Sequence, residues 1–236
     1  MGNFGLKVEK FIYIFIEQNG YVKVLEGLKN TLIIAILGLI IGILIGTVIA
    51  VVRVLPKYKR LPQILNGICT FYVELFRGTP IVVQLLIGYF VLMPSLGLNL
   101  PNVAVAIAVF GMNSGAYVSE IMRSGIQAVD PGQLEAARAL GLNYSTSMIK
   151  VVIPQAIKNI MPTLGNEFIS LIKETSVVSF IAIIDLTKAF RQIGDSNYEY
   201  IIPYLILAAV YLVLVYIISQ LVKLLERRLK KVDRNS

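Results

Sequence analysis

Three long stretches without a charged residue constrain the fold of this chain more than any other feature. They cover residues 30–52, 78–119 and 200–222. About 20 apolar residues are enough for a helix to cross the hydrocarbon core of a bilayer. Because 56% of the 236 residues are hydrophobic and only 15% are charged, the chain is much more apolar than a soluble domain. The sequence therefore predicts an all-α membrane protein.

Five transmembrane helices are predicted in all. They lie at about 27–55, 61–93, 102–123, 154–184 and 199–224. The second region is interrupted by Glu74, Arg77, Gly78 and Pro80. Since each half is too short to cross alone, we interpret this region as one crossing with a break.

The first predicted span carries Gly38, Gly42 and Gly46 at a spacing of four residues. A stripe of small residues lets a second helix approach closely. The sequence leaves open whether that neighbouring helix belongs to this chain or to a second subunit.

The Lys and Arg residues near the span ends predict the orientation, because cytoplasmic loops carry an excess of them. With the N-terminus outside, fourteen of these residues face the cytoplasm, within 53–60, 123–158 and 223–234, and six face outward. The six are Lys7, Lys10, Lys23, Lys29, Lys188 and Arg191. We therefore predict that the N-terminus is outside and the C-terminus inside.

The N-terminal region, 1–26, is predicted to contain an amphipathic helix at the membrane interface, over about 4–17. Its apolar residues recur at helical spacing between Lys and Glu: Phe4, Val8, Phe11, Ile12 and Phe15. A helix that only packs against the rest of the chain is an equally valid interpretation. The charges in this region argue against a cleaved secretory signal. The transmembrane domain is predicted over 27–229 and a basic cytoplasmic tail over 230–236.

Catalysis and metal binding are not expected. The chain has no His and a single cysteine, Cys69, so the usual metal ligands and general bases are missing. The net charge of +8 is concentrated beside the spans, where anionic headgroups account for it. We therefore predict no catalytic residue, no metal and no cofactor in this chain, and no nucleic acid partner.

A short soluble helix is predicted in the cytoplasmic region 130–153. Asp130 can cap it, Pro131 suits its first position, and Gln133 completes a capping box. Gly141 is placed to end the helix in the left-handed conformation. A slim, rigid helix of this kind suits a groove on a partner protein. A loop helix folded against its own protein is an equal alternative.

The same region carries a spaced motif: Glu135-Ala136-Ala137, then Gly141, then Val151-Val152-Ile153-Pro154. This motif resembles the signature of the integral membrane subunits of ABC importers, with Val and Ile where that family often has Ile and Leu. Further stretches are similar to the polar amino acid permease branch: ELFRGTP at 74–80, AYVSEIMRSGIQAVDPGQ at 116–133 and LIKETS at 171–176. The resemblance covers about 28–229.

The resemblance implies the type I importer permease fold, in which the short helix is a coupling helix that docks into a separate ATPase. The residues implied in that contact are Glu135, Ala136, Ala137, Arg138, Leu140 and Gly141. No Gly-Lys-Ser or Gly-Lys-Thr occurs in the chain, so it has no phosphate loop for ATP.

Several partners follow from the same resemblance. They are two ATPase subunits, which bind ATP and Mg, a second permease subunit, identical or homologous, and an extracytoplasmic amino-acid-binding protein. The implied location is the bacterial plasma (inner) membrane, which the chain crosses several times, in contact with the lipid bilayer.

Polar residues at membrane depth form the predicted substrate pathway, because such residues are costly to place in lipid. Arg77 lies beside a half-helix that Thr79 is predicted to cap and Pro80 to open, and it is predicted to bind an α-carboxylate. Gln84, one turn further, is predicted to line the same cavity. An intrahelical pair of Arg77 with Glu74 that only stabilises the break is an equal alternative.

The fourth predicted span has one polar face, with residues at spacings of three, four and seven. The face consists of Asn166, Glu167, Ser170, Lys173, Glu174 and Val177. Glu167 and Glu174 are predicted to receive an amino group or a cationic side chain, and Lys173 to neutralise one of them.

Four further residues are candidates for the substrate pathway. Asn113, Ser114 and Glu120 on the third span are predicted to face the same cavity, with interhelical hydrogen bonds as the alternative role of Asn113 and Ser114. Asp195, near the outer end, is predicted to contact a cationic side chain, or else to be a solvated loop carboxylate.

These observations together predict the permease subunit of an ATP-driven importer of polar amino acids, with basic ones (Arg, Lys, His) favoured by the surplus of intramembrane carboxylates. An ion-coupled secondary amino acid transporter is the main alternative, and five spans without an internal repeat argue against it. A membrane scaffold without transport activity is a third.

Overall fold

The structure, a computed structural model, describes residues 4–54 and 60–233, and only the backbone of 228–233. The predicted end of the first span at Leu55, the cytoplasmic lysines Lys57 and Lys59, and the last residues of the predicted tail, 234–236, lie outside the described residues.

The described residues fold into helices, and no strand is assigned among them. The α-helices are α1 (Phe4–Ile16), α2 (Gly20–Val54), α3 (Arg60–Gly78), α4 (Ile81–Ile87), α5 (Asn102–Gln127), α6 (Pro131–Ala139), α7 (Tyr144–Ser147), α8 (Ile153–Glu174), α9 (Leu186–Asp195) and α10 (Ile201–Asp233). Two π-helical turns, Gly88–Leu92 and Met148–Val152, a short helical turn, Met93–Ser95, and a 3-10 helix, Thr175–Ile181, complete them.

Three of these helices are long and apolar enough to cross a membrane within the described residues. They are α2, α5 and the Ile201–Arg227 part of α10, and the bent pair of α3 with Ile81–Ser95 is a fourth if it forms one span. The predicted span at about 154–184 is not a single α-helix, because α8 ends at Glu174 and a 3-10 helix follows it. The count of five spans and the orientation stay predictions.

The chain divides into two compact units, each built from three separate stretches. The first unit comprises Met1–Gly38, Thr79–Phe110 and Ser170–Ile217. The second unit comprises Leu39–Gly78, Gly111–Ile169 and Ile218–Ser236.

In the first unit, α1 packs against α9 and the start of α10. Asn19 separates α1 from α2 at a left-handed φ of 57°. A cluster of buried apolar side chains joins these helices: Phe11, Ile14, Leu186, Phe190, Ile193, Ile202 and Leu207. Other apolar residues of α1, such as Phe4 and Ile12, are exposed. The helix therefore packs against its own chain on one face and exposes apolar side chains on another, and its position at the membrane interface stays a prediction.

Helix α9 lies between the fourth and fifth predicted spans, where the sequence analysis predicts no helix. The buried Asp185 caps it, with its carboxylate oxygens accepting from the amides of Thr187 at 2.9 Å and Lys188 at 3.1 Å. Its buried apolar residues Leu186, Phe190 and Ile193 recur at helical spacing and pack against α1 and α10.

In the second unit, α2 and α5 pack closely. A Cβ on Gly42 would lie 2.6 Å from Ser114 Oγ, and one on Gly46 would lie 2.7 Å from Val118 Cγ1. Only glycine fits at these distances. The neighbour of this part of the glycine stripe is therefore a helix of the same chain.

Candidate functional site

Three arginines surround the carboxylate of Glu120 in the second unit. Arg53 and Arg77 occupy the last turns of α2 and α3, where the helix dipole favours a cation, and Arg123 lies one turn after Glu120 on α5. Arg123 Nη2 donates to Glu120 Oε2 at 2.8 Å, and Arg53 Nη1 donates to Glu120 Oε1. Arg77 Nη1 is 3.8 Å from Oε2, which is an ion pair without a hydrogen bond. We call these four residues the arginine cluster.

Arg77 is the most exposed member of the arginine cluster. Its side chain is 45% exposed, against 16% for Arg53 and 18% for Glu120. Its guanidinium carbon lies 5.5 Å from the centre of the Tyr117 ring, within the range of a cation–π contact. The ion-pair partner of Arg77 is thus Glu120 on another helix rather than Glu74 on its own.

The second unit also brings the third and fourth predicted spans together. Ser114 Oγ, which is fully buried, donates to Glu167 Oε1 at 3.0 Å. Asn113 Nδ2 donates to the carbonyl of Phe76 at 3.4 Å. Asn166 is exposed. Ser114 and Asn113 therefore make interhelical hydrogen bonds, and their place in the substrate pathway stays a prediction.

The break between α3 and α4 differs from the prediction in one respect. Pro80 is the N-cap of α4, and no side chain caps the helix. Gln84 Nε2 instead donates to Thr79 Oγ1 at 2.9 Å and to the Thr79 carbonyl at 3.0 Å. The predicted capping by Thr79 is wrong, because the helix begins at Ile81 and Pro80 occupies the N-cap position.

Gln84 and the remaining pathway candidates, Ser170, Glu174 and Asp195, lie in the first unit. Ser170 and Glu174 are partly buried on α8, and Lys173 is exposed. The predicted polar face ends at Glu174, because the 3-10 helix that follows shifts the position of Val177. Asp195 is 51% exposed and accepts from the Tyr200 hydroxyl at 2.8 Å, so it is engaged locally.

The start and end of α6 follow the sequence closely. Asp130 caps it, with Oδ1 accepting from the Gly132 amide at 2.8 Å, and Pro131 is its first residue. Gly141 follows the helix at a φ of 88°, the left-handed conformation that was predicted. The capping box is only half formed, because the Gln133 side chain accepts from Gln155 at 3.1 Å instead of returning to Asp130.

One side of α6 is buried and the other is exposed. Glu135, Ala136, Arg138 and Gly141 are exposed, and Leu140 is 84% exposed. Ala137, however, is 5% exposed, so it packs inside the chain and does not face a partner. Leu134 packs against the buried cluster of Val129, Val152, Ala156 and Ile160. The exposed surface of α6 therefore has Leu140 as its apolar tip.

Three contributors to the arginine cluster and its surroundings were not among the predicted site residues: Arg53, Arg123 and Tyr117. The spacing of Glu120 and Arg123, three residues apart on a helix, is a local signal that indicates their pairing. The contact of Arg53 with Glu120 spans 67 residues of sequence, and no local pattern indicates it.

Comparison with known proteins places these observations in a family context. Residues 38–231 match the family described as binding-protein-dependent transport system inner membrane component. The arginine transport system permease protein ArtQ of Bacillus subtilis is 41% identical over 210 residues, which cover 89% of this chain and 94% of that protein. The putative glutamine transport system permease protein GlnP of Rickettsia bellii is 39% identical, with 86% and 88% covered.

A solved structure is similar over almost the whole chain. It is described as the crystal structure of an amino acid ABC transporter with histidines, and the matching chain is 42% identical, with a TM-score of 0.82. The match covers 91% of this chain and 98% of that one. With 42% identity and a TM-score of 0.82, the two chains share both their fold and a recognisable sequence similarity.

Proposed function

The chain belongs to the family of binding-protein-dependent transport system inner membrane components, and from this premise we propose in detail how it works as the permease subunit of an amino acid ABC importer. It is a multi-pass protein of the inner membrane and a transport component rather than an enzyme. The observation that carries the coupling mechanism is α6, a capped helix that bears the importer motif and presents an 84% exposed leucine.

We propose that α6 inserts into a cleft of a separate ATPase subunit. A large apolar side chain that is exposed at the tip of a rigid helix is a typical anchor for a groove on a partner. Two ATPase subunits, which bind ATP and Mg, a second permease subunit and an extracytoplasmic binding protein complete the importer. Five spans with the N-terminus outside place α6 in the cytoplasm, where ATP is available.

We propose that the substrate is a polar amino acid and that basic side chains are preferred. The relatives named above are described as arginine and glutamine permeases, which supports the class. Glu167 and Glu174 are the carboxylates proposed to receive a cationic side chain. Glu120 no longer counts toward that preference, because arginines already hold its oxygens. Gln84, Asn113, Ser114, Asn166, Ser170 and Asp195 stay proposed members of the pathway.

An ion-coupled secondary transporter is not favoured. The family is defined by dependence on a binding protein, and the named relatives are described as subunits of transport systems.

Truncation of Leu140 tests the coupling proposal. Leu140→Ala should leave the fold unchanged, because the side chain is 84% exposed. It should weaken association with the ATPase about tenfold, the typical loss for an interface anchor worth roughly 1 to 2 kcal/mol. The measurement is co-purification and titration of the ATPase with permease in nanodiscs.

Tyr198→Ala is the matched control. Tyr198 is 88% exposed but lies at the opposite, outward end in the proposed topology, so its truncation should not affect ATPase binding. Equal affinity of wild type and Leu140→Ala for the ATPase would refute the docking role of α6.

A further inference from the structure

The arginine cluster carries more positive than negative charge. Three guanidinium groups face one carboxylate. Those of Arg53 and Arg123 are within hydrogen-bond distance of it, and that of Arg77 is 3.8 Å away. Arginine stays charged in proteins, so the surplus is permanent. Such a cluster attracts a further anion and repels a cation. A cationic group of the substrate is therefore not expected to bind Glu120.

The contacts to Glu120 are unequal. Arg123 donates to Oε2 through both Nη2, at 2.8 Å, and Nε, at 3.2 Å, and Arg53 donates to Oε1. Both arginines therefore fix the carboxylate by charge-assisted hydrogen bonds. Arg77, at 3.8 Å, is beyond hydrogen-bond distance and is the member that can leave Glu120 at the smallest cost.

Arg77 is also the member that a solute can reach. Its side chain is 45% exposed, against 33% for Arg123. The Tyr117 ring lies 5.5 Å from its guanidinium carbon, so a cation–π contact helps to hold the group, and an arginine carries five N–H donors in a planar fork. That fork matches the two oxygens of a carboxylate.

We propose that Arg77 binds the α-carboxylate of the transported amino acid and that Glu120, held by Arg53 and Arg123, competes with the substrate for Arg77. The competition makes binding reversible, because the Glu120 carboxylate reclaims Arg77 as the substrate leaves. This inference rests on the proposed import of amino acids and adds the group that the permease itself recognises, a free α-carboxylate.

Binding measurements on the permease–ATPase complex in nanodiscs, without the binding protein, test the proposal. The probes are L-arginine and L-glutamine, each compared with its α-carboxamide, which lacks the negative charge. The readouts are equilibrium dialysis and the ligand-induced shift of the unfolding temperature. Wild type should bind the amino acids at least about tenfold more tightly than the amides.

Arg77→Gln should remove this discrimination, and Arg77→Lys should keep it in part, because the charge remains while the planar fork is lost. Arg191→Gln is the matched control. Arg191 is 57% exposed and lies 4.0 Å from Asp195, so its loss removes a similar loose ion pair. Asp195 is proposed to contact a cationic side chain and not the α-carboxylate, so the ratio of acid to amide affinity should stay unchanged. The unfolding temperature without ligand shows whether each variant is folded.

Glu120→Gln separates competitor from ligand. If Glu120 is a competitor, its neutralisation in Glu120→Gln should raise the affinity for the amino acids several-fold. Discrimination against the amides should persist in this variant. A fall in affinity to the level of Arg77→Gln would show instead that Glu120 binds the substrate, and it would overturn the proposal. Equal binding of acid and amide by wild type, including no binding of either, or full discrimination by Arg77→Gln, would also overturn it.

ATP-driven uptake by the same wild-type complex is measured separately. If uptake depends on ATP but the complex does not discriminate between acid and amide, only the proposed role of Arg77 is rejected and the proposed function stands. Uptake that needs no ATPase would reject the proposed function.

Discussion

The carboxylate of Glu199 joins the N-terminal helix to the beginning of α10. Lys7 Nζ lies 2.8 Å from Glu199 Oε2, and Glu199 Oε1 accepts from the Ile201 amide at 3.1 Å. The hydrogen bond from Lys7 is the main reason why the pKa of Glu199 is lowered from its ordinary value of 4.5. The same ammonium thus stabilises the ionised carboxylate and holds α1 in place.

Lowering the pH should release this contact. Because the pKa of Glu199 is lowered in the folded protein, the stabilisation is complete above pH 4.5 and is lost as the pH falls through the lowered value. Hydrogen exchange of α1 should therefore be slower in wild type than in Lys7→Gln at neutral pH. The two proteins should converge once the pH is below the lowered pKa of Glu199.

Lys23→Gln, which removes an exposed lysine of α2, is the control and should behave like wild type throughout. A constant difference between wild type and Lys7→Gln from neutral to acid pH would contradict this role of the ion pair.

Single side chains were predicted well where the signal is local. Asp130 and Gly141 were placed correctly, because caps depend on neighbours within a turn. The partners of Glu120 were not predicted, because two of its three arginines come from helices that are distant in sequence. The sequence predicted only that Glu120 faces the cavity, and the tertiary contacts show that arginines hold it.

Among the helices, α6 was predicted and α9 was missed. The sequence of α6 combines a cap, a proline at the start and a glycine at the end, which define a helix without tertiary information. Helix α9 has an equally clear cap in Asp185 and apolar residues at helical spacing, but the polar residues that follow suggested a loop. The break before α4 was predicted in place but not in detail, because Pro80 rather than Thr79 is the N-cap residue.

The end of α6 should depend on the backbone of Gly141. A Cβ there would meet nothing within 4 Å, but the φ is 88°, so Gly141→Ala should cost about 1 kcal/mol through the backbone alone. We expect faster hydrogen exchange over 139–143 and weaker binding of the ATPase. Gly141→Asn should retain more of both, because Asn tolerates the left-handed conformation.

Gly67 provides the matched comparison. A Cβ at this position would also meet nothing within 4 Å, but Gly67 lies within α3, where Ala is more favourable than Gly by about 0.5 to 1 kcal/mol. Gly67→Ala should therefore be neutral or stabilising. Exchange over 139–143 that is as slow in Gly141→Ala as in Gly67→Ala would contradict the proposed role of Gly141.

The whole molecule consists of two units, each assembled from three stretches that are distant in sequence. The sequence predicted an all-α membrane protein correctly, since hydrophobicity over 20 or so residues is a local property. The pairing of those stretches was not predictable from periodicity, with the exception of the glycine stripe, which indicated close packing without naming the neighbour. Family membership then gave the molecule its place in a binding-protein-dependent transport system.

The central claim is that this chain imports amino acids with energy from a separate ATPase. The most direct measurement is uptake of radiolabelled L-arginine and L-glutamine into proteoliposomes that contain the permease, its ATPase and its binding protein. Uptake should require ATP hydrolysis, should stop when the ATPase is omitted, and should be insensitive to ionophores that collapse proton and sodium gradients. Uptake that persists without the ATPase and follows an imposed ion gradient would contradict the claim.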